Sequence, residues 1–322
     1  MKILFTLTPP NGGYGGGAFF VRNMTNELIK KGHQIINNLE PEIDIIVIID
    51  PRRDINNRYG LMEIQNYKLA NPNVKIIHRI NENDIKRKKK INIESAILRT
   101  MKIADHIIFV SKWLYDYYQQ YNLKTEHNID CPMSIIHNGV DTCVYYPKPY
   151  NNTIDNTIDN KIKIVTHHWS NNYLKGFEIY HYLDKYISEH PDCNMELIYI
   201  GNYNYEGYKP VATKIHPPMA PNEISNIIKF CDVYLTATQY EPGAMHYLEA
   251  MACGLPIVYR TNGGGAHEIC NDCGIEFDKT EEVIDAIKKV TKDRSDYIKN
   301  IDYFYISKER CIEDFICIID NL

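Results

Sequence analysis

The sequence predicts an α/β protein built from two Rossmann-like domains, each a parallel sheet flanked by helices. Apolar runs of the length of buried strands alternate with amphipathic helical segments, and this alternation occurs twice along the chain. A polar, low-complexity stretch at residues 150–160, with a tandem Asn-Thr-Ile-Asp repeat, separates the two arrays. The length of 322 residues suits two domains that each bury a core.

The first array begins with a predicted strand at residues 2–7, followed by a glycine-rich loop and a helix over 18–31. Glycines let the backbone approach a ligand closely, although a flexible surface loop is the alternative. No Gly-Lys-Ser/Thr follows, so the loop is not a phosphate-binding Walker loop. The remaining elements predicted for this half are strands at 43–49, 74–77 and 134–136, a helix over 91–104, and a helix capped by Ser111.

Composition excludes several classes of function. A net charge of -5 argues against bulk binding of nucleic acid. No apolar run reaches the roughly 18 residues that a membrane span needs. Nine cysteines without a disulfide-scaffold spacing favour reduced thiols and a cytoplasmic location. Cys270 and Cys273 form the one Cys-x-x-Cys, and no further ligands at a suitable spacing predict a metal site there.

The second array centres on residues 233–259, which predict a strand, a turn, a helix from about Ala244 to about Ala252, and a second strand. The helix start then lies at the carboxyl edge of a parallel sheet, where anions bind. Glu241 precedes the helix and Glu249 lies within it. Backbone N–H groups of Ala244, Met245 and His246 could hold a phosphate, while a carboxylate accepts from sugar hydroxyls. A surface glutamate and a helix-face glutamate are the plainer interpretation.

This stretch resembles the retaining glycosyltransferases of the GT-B fold, family 4. The resemblance rests on Glu241-x7-Glu249, on Gly-Leu-Pro-Ile-Val at 254–258, and on Gly-Gly-x-x-Glu at 264–268. It implies that Glu241 contacts the donor sugar and Glu249 the ribose. The family has Phe-Gly-Leu after the proline, whereas this chain has Gly243, Ala244 and Met245. It further implies two domains facing across a cleft, with the last helix returning to the first.

Matches in the first half extend the resemblance. Gly16 and Gly17 correspond to the family's Gly-Gly loop between donor phosphate and acceptor. His78, at the end of a predicted strand, matches a histidine that faces the donor sugar, although it could equally pack against a neighbouring loop. Asn-Gly-Val-Asp at 138–141 resembles the segment at which the family's chain crosses to the second domain.

A lysine and an arginine neutralise the donor diphosphate in this family. Lys175, followed by glycine, matches the lysine, but Trp169 stands six positions upstream where the family has its arginine. His168 or Ser170 could donate to the phosphates instead. The adjacent histidines could also be a packed strand end.

The resemblance implies an acceptor domain at residues 1–143, a nucleotide-sugar donor domain at 144–305, and a returning helix at 306–322. It implies a retaining transfer from a nucleotide-diphospho-sugar to a glycan or other hydroxyl. No Asp-x-Asp motif is present, so neither a metal nor another cofactor is expected. The basic run from Lys86 to Lys90 is a solvated face or a contact for an anionic acceptor or membrane.

Three alternatives remain open from the sequence. One is another GT-B nucleotide-sugar enzyme, such as a 2-epimerase. A second is a catalytically weak nucleotide- or glycan-binding protein, which the missing arginine favours. The third is a nicotinamide dehydrogenase, which the lack of a clear dinucleotide fingerprint disfavours.

Overall fold

A computed structural model describes residues 1–10, 15–54, 56–85, 92–148, 161–203 and 205–322. The contacts divide the chain into two compact units, Met1–Gly139 with Lys308–Leu322, and Val140–Ser307. The domain limits predicted after residues 143 and 305 remain a prediction and differ from this division by a few residues. The basic run at 86–90 and the repeat at 150–160 lie outside the described residues.

The first unit contains a six-stranded sheet in the order β2-β1-β3-β4-β5-β6, with every neighbouring pair parallel. Its strands are β1 (Lys2–Phe5), β2 (Gln34–Ile36), β3 (Ile45–Ile48), β4 (Lys75–Ile80), β5 (His106–Phe109) and β6 (Met133–Ile135). Its first four helices are α1 (Gly16–Lys30), α2 (Leu61–Ala70), α3 (Ile93–Met101) and α4 (Lys112–Gln119). The sheet carries apolar residues on both faces because helices cover both.

The second unit repeats this architecture, with a parallel sheet in the order β12-β11-β10-β7-β8-β9. Its strands are β7 (Ile162–His168), β8 (Met195–Gly201), β9 (Lys214–His216), β10 (Val233–Thr236), β11 (Ile257–Arg260) and β12 (Gly274–Phe277). Its helices are α5 (Phe177–Glu189), α6 (Pro221–Ile228), α7 (His246–Ala252), α8 (Ala266–Cys270), α9 (Glu282–Lys292) and α10 (Arg294–Ile298). Three 3-10 turns accompany them, at Tyr173–Lys175, Pro191–Cys193 and Asn271–Cys273.

The last helix, α11 (Lys308–Asp320), belongs to the first unit, as the sequence predicts. Phe315 on α11 packs edge-on against Phe20 on α1, with ring centroids 5.0 Å apart. Arg310 donates to the carbonyl oxygens of His137 and Asn138, at 2.9 and 3.2 Å. Apolar burial and charge-assisted hydrogen bonds therefore both hold α11 to the first unit.

Helix α2 has no counterpart in the sequence prediction. Of its apolar residues only Ile64 is buried, while Met62 and Leu69 are exposed. The apolar residues therefore do not recur on one face, and periodicity could not reveal the helix. None of the helices in the described part of the chain has the length and apolar content needed to cross a membrane.

Candidate functional site

Lys175 ends a 3-10 turn between β7 and α5, and the residue after it explains the Lys-Gly pair. Gly176 has φ +78°, and a Cβ there would lie 2.3 Å from the carbonyl oxygen of Ala237. Only glycine fits, because the backbone is left-handed and the loop after β10 passes too close for a side chain. The amide of Gln239 also donates to the Leu174 oxygen, at 2.8 Å. The Lys175 turn is thereby docked on the loop that leads to Glu241.

The glycine run at residues 263–265 fixes the backbone of Glu241. A Cβ on Gly264, which has φ +74°, would lie 2.3 Å from the Glu241 carbonyl oxygen. The amide of Gly265 donates to that same oxygen at 2.9 Å. Just before Glu241, Tyr240 has φ +52°, an uncommon conformation for a residue with a side chain. The surrounding contacts hold the backbone in this uncommon conformation, as is common where a side chain has a functional role.

Lys175 and Glu241 form the central pair of the candidate site. Lys175 Nζ lies 2.7 Å from Glu241 Oε2, and their side chains are 12% and 10% exposed. Because the pair is largely shielded from water, its charges are screened less than those of a surface ion pair. It therefore places a cation for an anionic ligand directly beside a carboxylate that can accept from hydroxyl groups.

Helix α7 begins two residues later than the sequence predicts. Its first residue is His246, and Met245 occupies the N-cap position, where its carbonyl accepts from the amide of Glu249. Gly243 and Ala244 lie in the preceding turn, because Glu241 is still paired with Gly264 as a β-bridge. Among the three predicted backbone donors, only His246 is therefore helical.

Glu249 is held by a histidine that sequence reasoning did not select. His167 Nε2 lies 2.6 Å from Glu249 Oε2, and the buried Tyr145 lies near this carboxylate. Burial, and then the charge of Glu249, raise the pKa of the Tyr145 hydroxyl. One signal could have pointed to His167: adjacent strand residues face opposite sides, so a pair of histidines at a strand end reaches two environments.

His168 faces the other environment, against Tyr180. The Tyr180 oxygen accepts from the Thr166 hydroxyl and from the amide of Ala237, both at 3.2 Å. His168 Nε2 lies 2.7 Å from this oxygen and 3.3 Å from Thr166 Oγ1. Burial, followed by the charges of His246, Lys175 and His167, holds the pKa of His168 well below its usual value. His168 is thus neutral near pH 7, and its buried Nδ1 has no hydrogen-bond partner in the described chain.

Trp169 follows β7, at the position of the family's arginine. Its side chain is 54% exposed, and its carbonyl oxygen accepts from Asn202 at 2.8 Å. Another arginine, Arg260, contacts the helix that follows Lys175. Arg260, the last residue of β11, donates to Glu178 in the first turn of α5, at 2.5 Å. This ion pair links β11 to the helix that follows Lys175.

The other predicted site residues lie in the first unit and are described within it. Gly16 opens α1, and a Cβ on Gly17 would contact Ile49 and Asn81 at 3.5 and 3.6 Å. His78 lies within β4, between β3 and β5, with 1% exposure. Neither of its ring nitrogens has a hydrogen-bond partner among the described residues. The catalytic role of His78 remains a prediction.

Burial lowers the pKa of His78 to about 3, so this imidazole is neutral near pH 7. The unfolded chain takes up a proton at this residue below about pH 6.5, whereas the folded chain does not. Stability is therefore lost as the pH falls from about 6.5 towards about 3. Between about pH 7.5 and about pH 5, the His78 contribution to the free energy of unfolding falls by about 2 kcal/mol.

Urea unfolding of the native chain and of His78→Leu at both pH values tests this expectation. The leucine variant should lose about 2 kcal/mol less on acidification, because its side chain cannot titrate. His190→Ala removes an exposed imidazole and serves as the control for the loss of a histidine side chain. Equal acid sensitivity in the native chain and in His78→Leu would contradict the assignment.

Residues 210–304 match the family model described as "Glycosyl transferases group 1". The matched region includes Glu241, Glu249 and the glycine run at 263–265, but it begins after Lys175 and the two histidines. No curated protein matches the chain.

Solved structures resemble the chain over nearly its whole length. Sucrose-phosphate synthase from Thermosynechococcus elongatus has a TM-score of 0.72 and 12% identity, covering 99% of this chain and 98% of its own. HepE from Anabaena, in complex with UDP-glucose, has a TM-score of 0.69 and 16% identity, with full coverage of both chains. WaaG, a glycosyltransferase involved in lipopolysaccharide biosynthesis, has a TM-score of 0.62 and 12% identity, covering 97% of this chain and 98% of its own.

At 12–16% identity, the likeness to these structures shows the fold alone. The family match adds a sequence similarity over the region that contains Glu241 and Glu249. The chain therefore has the GT-B fold of glycosyltransferases, and its residues 210–304 match the model of the glycosyl transferases group 1.

Proposed function

We propose that this protein is a retaining glycosyltransferase that transfers a sugar from a nucleotide-diphospho-sugar to a hydroxyl of a glycan or other acceptor. The observation that carries the proposal is the shielded Lys175–Glu241 pair, at 2.7 Å, with Glu249 in the helix that follows. The family match over residues 210–304 and the fold shared with HepE, whose structure holds UDP-glucose, support it.

In this proposal Lys175 offsets negative charge that builds on the diphosphate as the bond to the sugar breaks. A new bond forms between the anomeric carbon and the acceptor oxygen, and the hydroxyl proton leaves with the diphosphate. Glu241 contacts the sugar during transfer, and Glu249 accepts from the ribose. The backbone from Gly243 to His246 supplies neutral donors for phosphate oxygens, and the neutral imidazole of His168 lies beside Lys175 without adding charge.

Lys175 supplies positive charge that a metal ion could otherwise provide, so we propose turnover without an added metal or another cofactor. The partners are a nucleotide sugar and a glycan or small-molecule acceptor, and nucleic acid is not among them. The nine cysteines are free thiols, which fits the reducing environment of the cytoplasm.

Release of nucleoside diphosphate from a panel of nucleotide sugars, with and without candidate acceptors, tests the proposal. We expect release that depends on acceptor, that survives a chelator, and that yields a product with the donor's anomeric configuration by NMR. Loss of all turnover in chelator, restored by manganese or magnesium, would contradict the metal-independent mechanism. An epimerised sugar formed without acceptor would indicate the 2-epimerase class instead.

A second candidate function is nucleotide or glycan binding with little catalysis. The exposed Trp169, where the family has an arginine, favours it, because an indole cannot offset the charge of a diphosphate. Calorimetric binding of a nucleotide sugar without diphosphate release, for every acceptor offered, would select this candidate over the transferase.

A further inference from the structure

The carboxylate of Glu249 is oriented before any ligand arrives. His167 Nε2 lies 2.6 Å from Glu249 Oε2, with the buried Tyr145 nearby. The His167 and Glu249 side chains are 9% and 17% exposed, so the pair is mostly enclosed while part of it remains accessible. A carboxylate tied to a buried partner has a fixed direction, unlike a glutamate on a solvated helix face.

His167 is itself fixed by Tyr234 on the neighbouring strand. The Tyr234 hydroxyl accepts from the His167 amide at 3.1 Å and lies 3.1 Å from His167 Nδ1. Their rings meet edge to face, with centroids 5.5 Å apart. The Tyr234 hydroxyl also donates to the His167 carbonyl oxygen, at 3.3 Å. These contacts with the amide, the carbonyl oxygen and Nδ1 hold the imidazole in place, with Nε2 beside Glu249.

The number of hydrogen bonds that the Glu249 carboxylate can accept indicates which ligand groups fit it. An ionised carboxylate has about four acceptor positions. His167 occupies one of them, which leaves room on the accessible part of the carboxylate for two further donors. Two hydroxyl groups on adjacent carbons, as in ribose, fill two such positions together.

We propose that His167 is a positioning residue that directs Glu249 towards a ribose diol and thereby sets a preference for ribonucleotides over 2′-deoxyribonucleotides. This inference rests on the proposed function. The ribose contact of Glu249 follows from the resemblance to family 4, whereas the dependence of that contact on His167 follows from the geometry of this chain.

Calorimetric affinities for nucleoside 5′-diphosphates test the proposal. The probes are the common ribonucleoside diphosphate that the native chain binds most tightly and its 2′-deoxy counterpart. A hydrogen bond to a charged group contributes about 1.5–3 kcal/mol, so the native chain should prefer the ribose form by about tenfold or more. His167→Ala should reduce this preference to about twofold, close to the value for Glu249→Ala. General damage to the site would weaken both probes and leave their ratio unchanged.

Two polar variants distinguish the orienting of Glu249 by His167 from the packing of the His167 side chain. They do not depend on whether the alanine variant folds. His167→Gln places an amide N–H near the position of Nε2 and should keep most of the preference, whereas the shorter His167→Asn should lose it. His190→Ala, at an exposed histidine of the same unit, should keep the native ratio.

Three outcomes overturn the inference in distinguishable ways. A native ratio in both His167→Ala and His167→Asn, with the ratio lost in Glu249→Ala, removes His167 while leaving the proposed function intact. A native chain that binds both probes equally removes the ribose contact of Glu249. A native chain that binds no nucleoside diphosphate and turns over no nucleotide sugar overturns the proposed function itself.

Discussion

Replacing Lys175 by alanine is expected to lower kcat by roughly two to three orders of magnitude, the loss seen when one electrostatic stabiliser of a transition state is removed. Lys175 meets charge that develops on the leaving diphosphate, so its contribution is larger in the transition state than in the ground state. The variant also removes the 2.7 Å ion pair with Glu241, in a setting where both side chains are about nine-tenths covered. Steady-state kinetics with a nucleotide sugar measure the effect.

Two further variants show whether the loss is specific. Glu241→Gln should lower turnover while calorimetric binding of the free nucleoside diphosphate stays near native, because that ligand carries no sugar. Lys214→Ala breaks an ion pair of the same length, 2.7 Å, whose lysine is 62% exposed. It should change activity little, because exposed ion pairs contribute about 0–1 kcal/mol. Normal turnover by Glu241→Gln would make the Glu241 assignment wrong.

Gly176→Ala adds only a methyl group, yet it is expected to lower both the stability of the protein and its catalytic rate. The new methyl would lie 2.3 Å from the Ala237 oxygen and 2.4 Å from the Ala237 Cβ, so backbone must move. Left-handed strain of about 1–2 kcal/mol and overpacking of about 1–3 kcal/mol act together on the free energy of unfolding. The movement also displaces Lys175, and a shift of about 1 Å in a catalytic group can cost about a hundredfold in rate.

The chain offers a matched control for this variant in Gly207. Its φ of +77° is close to that of Gly176, but a Cβ there would meet nothing within 4 Å. Gly207→Ala should therefore show the strain of about 1–2 kcal/mol in thermal or urea unfolding, and retain native kcat. If both alanine variants lost equal stability and activity, close approach to Ala237 would not be the reason for glycine at 176.

The sequence predicted those parts of the site that local spacing encodes. Glu241, Glu249 and Lys175 were selected because the short motifs around them resemble those of family 4, and their roles remain predictions. His167 was missed because its partner is 82 residues further along the chain, and neither residue shows this pairing in its own neighbourhood. The start of α7 was predicted too early because the bridge between Glu241 and Gly264 is a long-range contact.

The elements of the fold show the same division between local and long-range information. Buried strands such as β3 and β10 were predicted because helices on both faces leave them continuously apolar. Helix α2 was not, because its exposed Met62 and Leu69 disrupt the apolar period. Several strands were predicted to be longer than they are, since apolar residues continue past the last hydrogen bond of the sheet into the adjoining loops.

The return of α11 to the first unit has a consequence for the order in which the protein can fold during synthesis. Residues 140–307 form a continuous segment, so the second unit can close its core as soon as that segment has left the ribosome. The first unit, although its strands are translated earlier, lacks Phe315 and the rest of α11 until residues 308–320 have been synthesised, and the face of α1 that packs on α11 stays uncovered until then. The first unit therefore needs a segment that is translated after the whole of the second unit to complete its core.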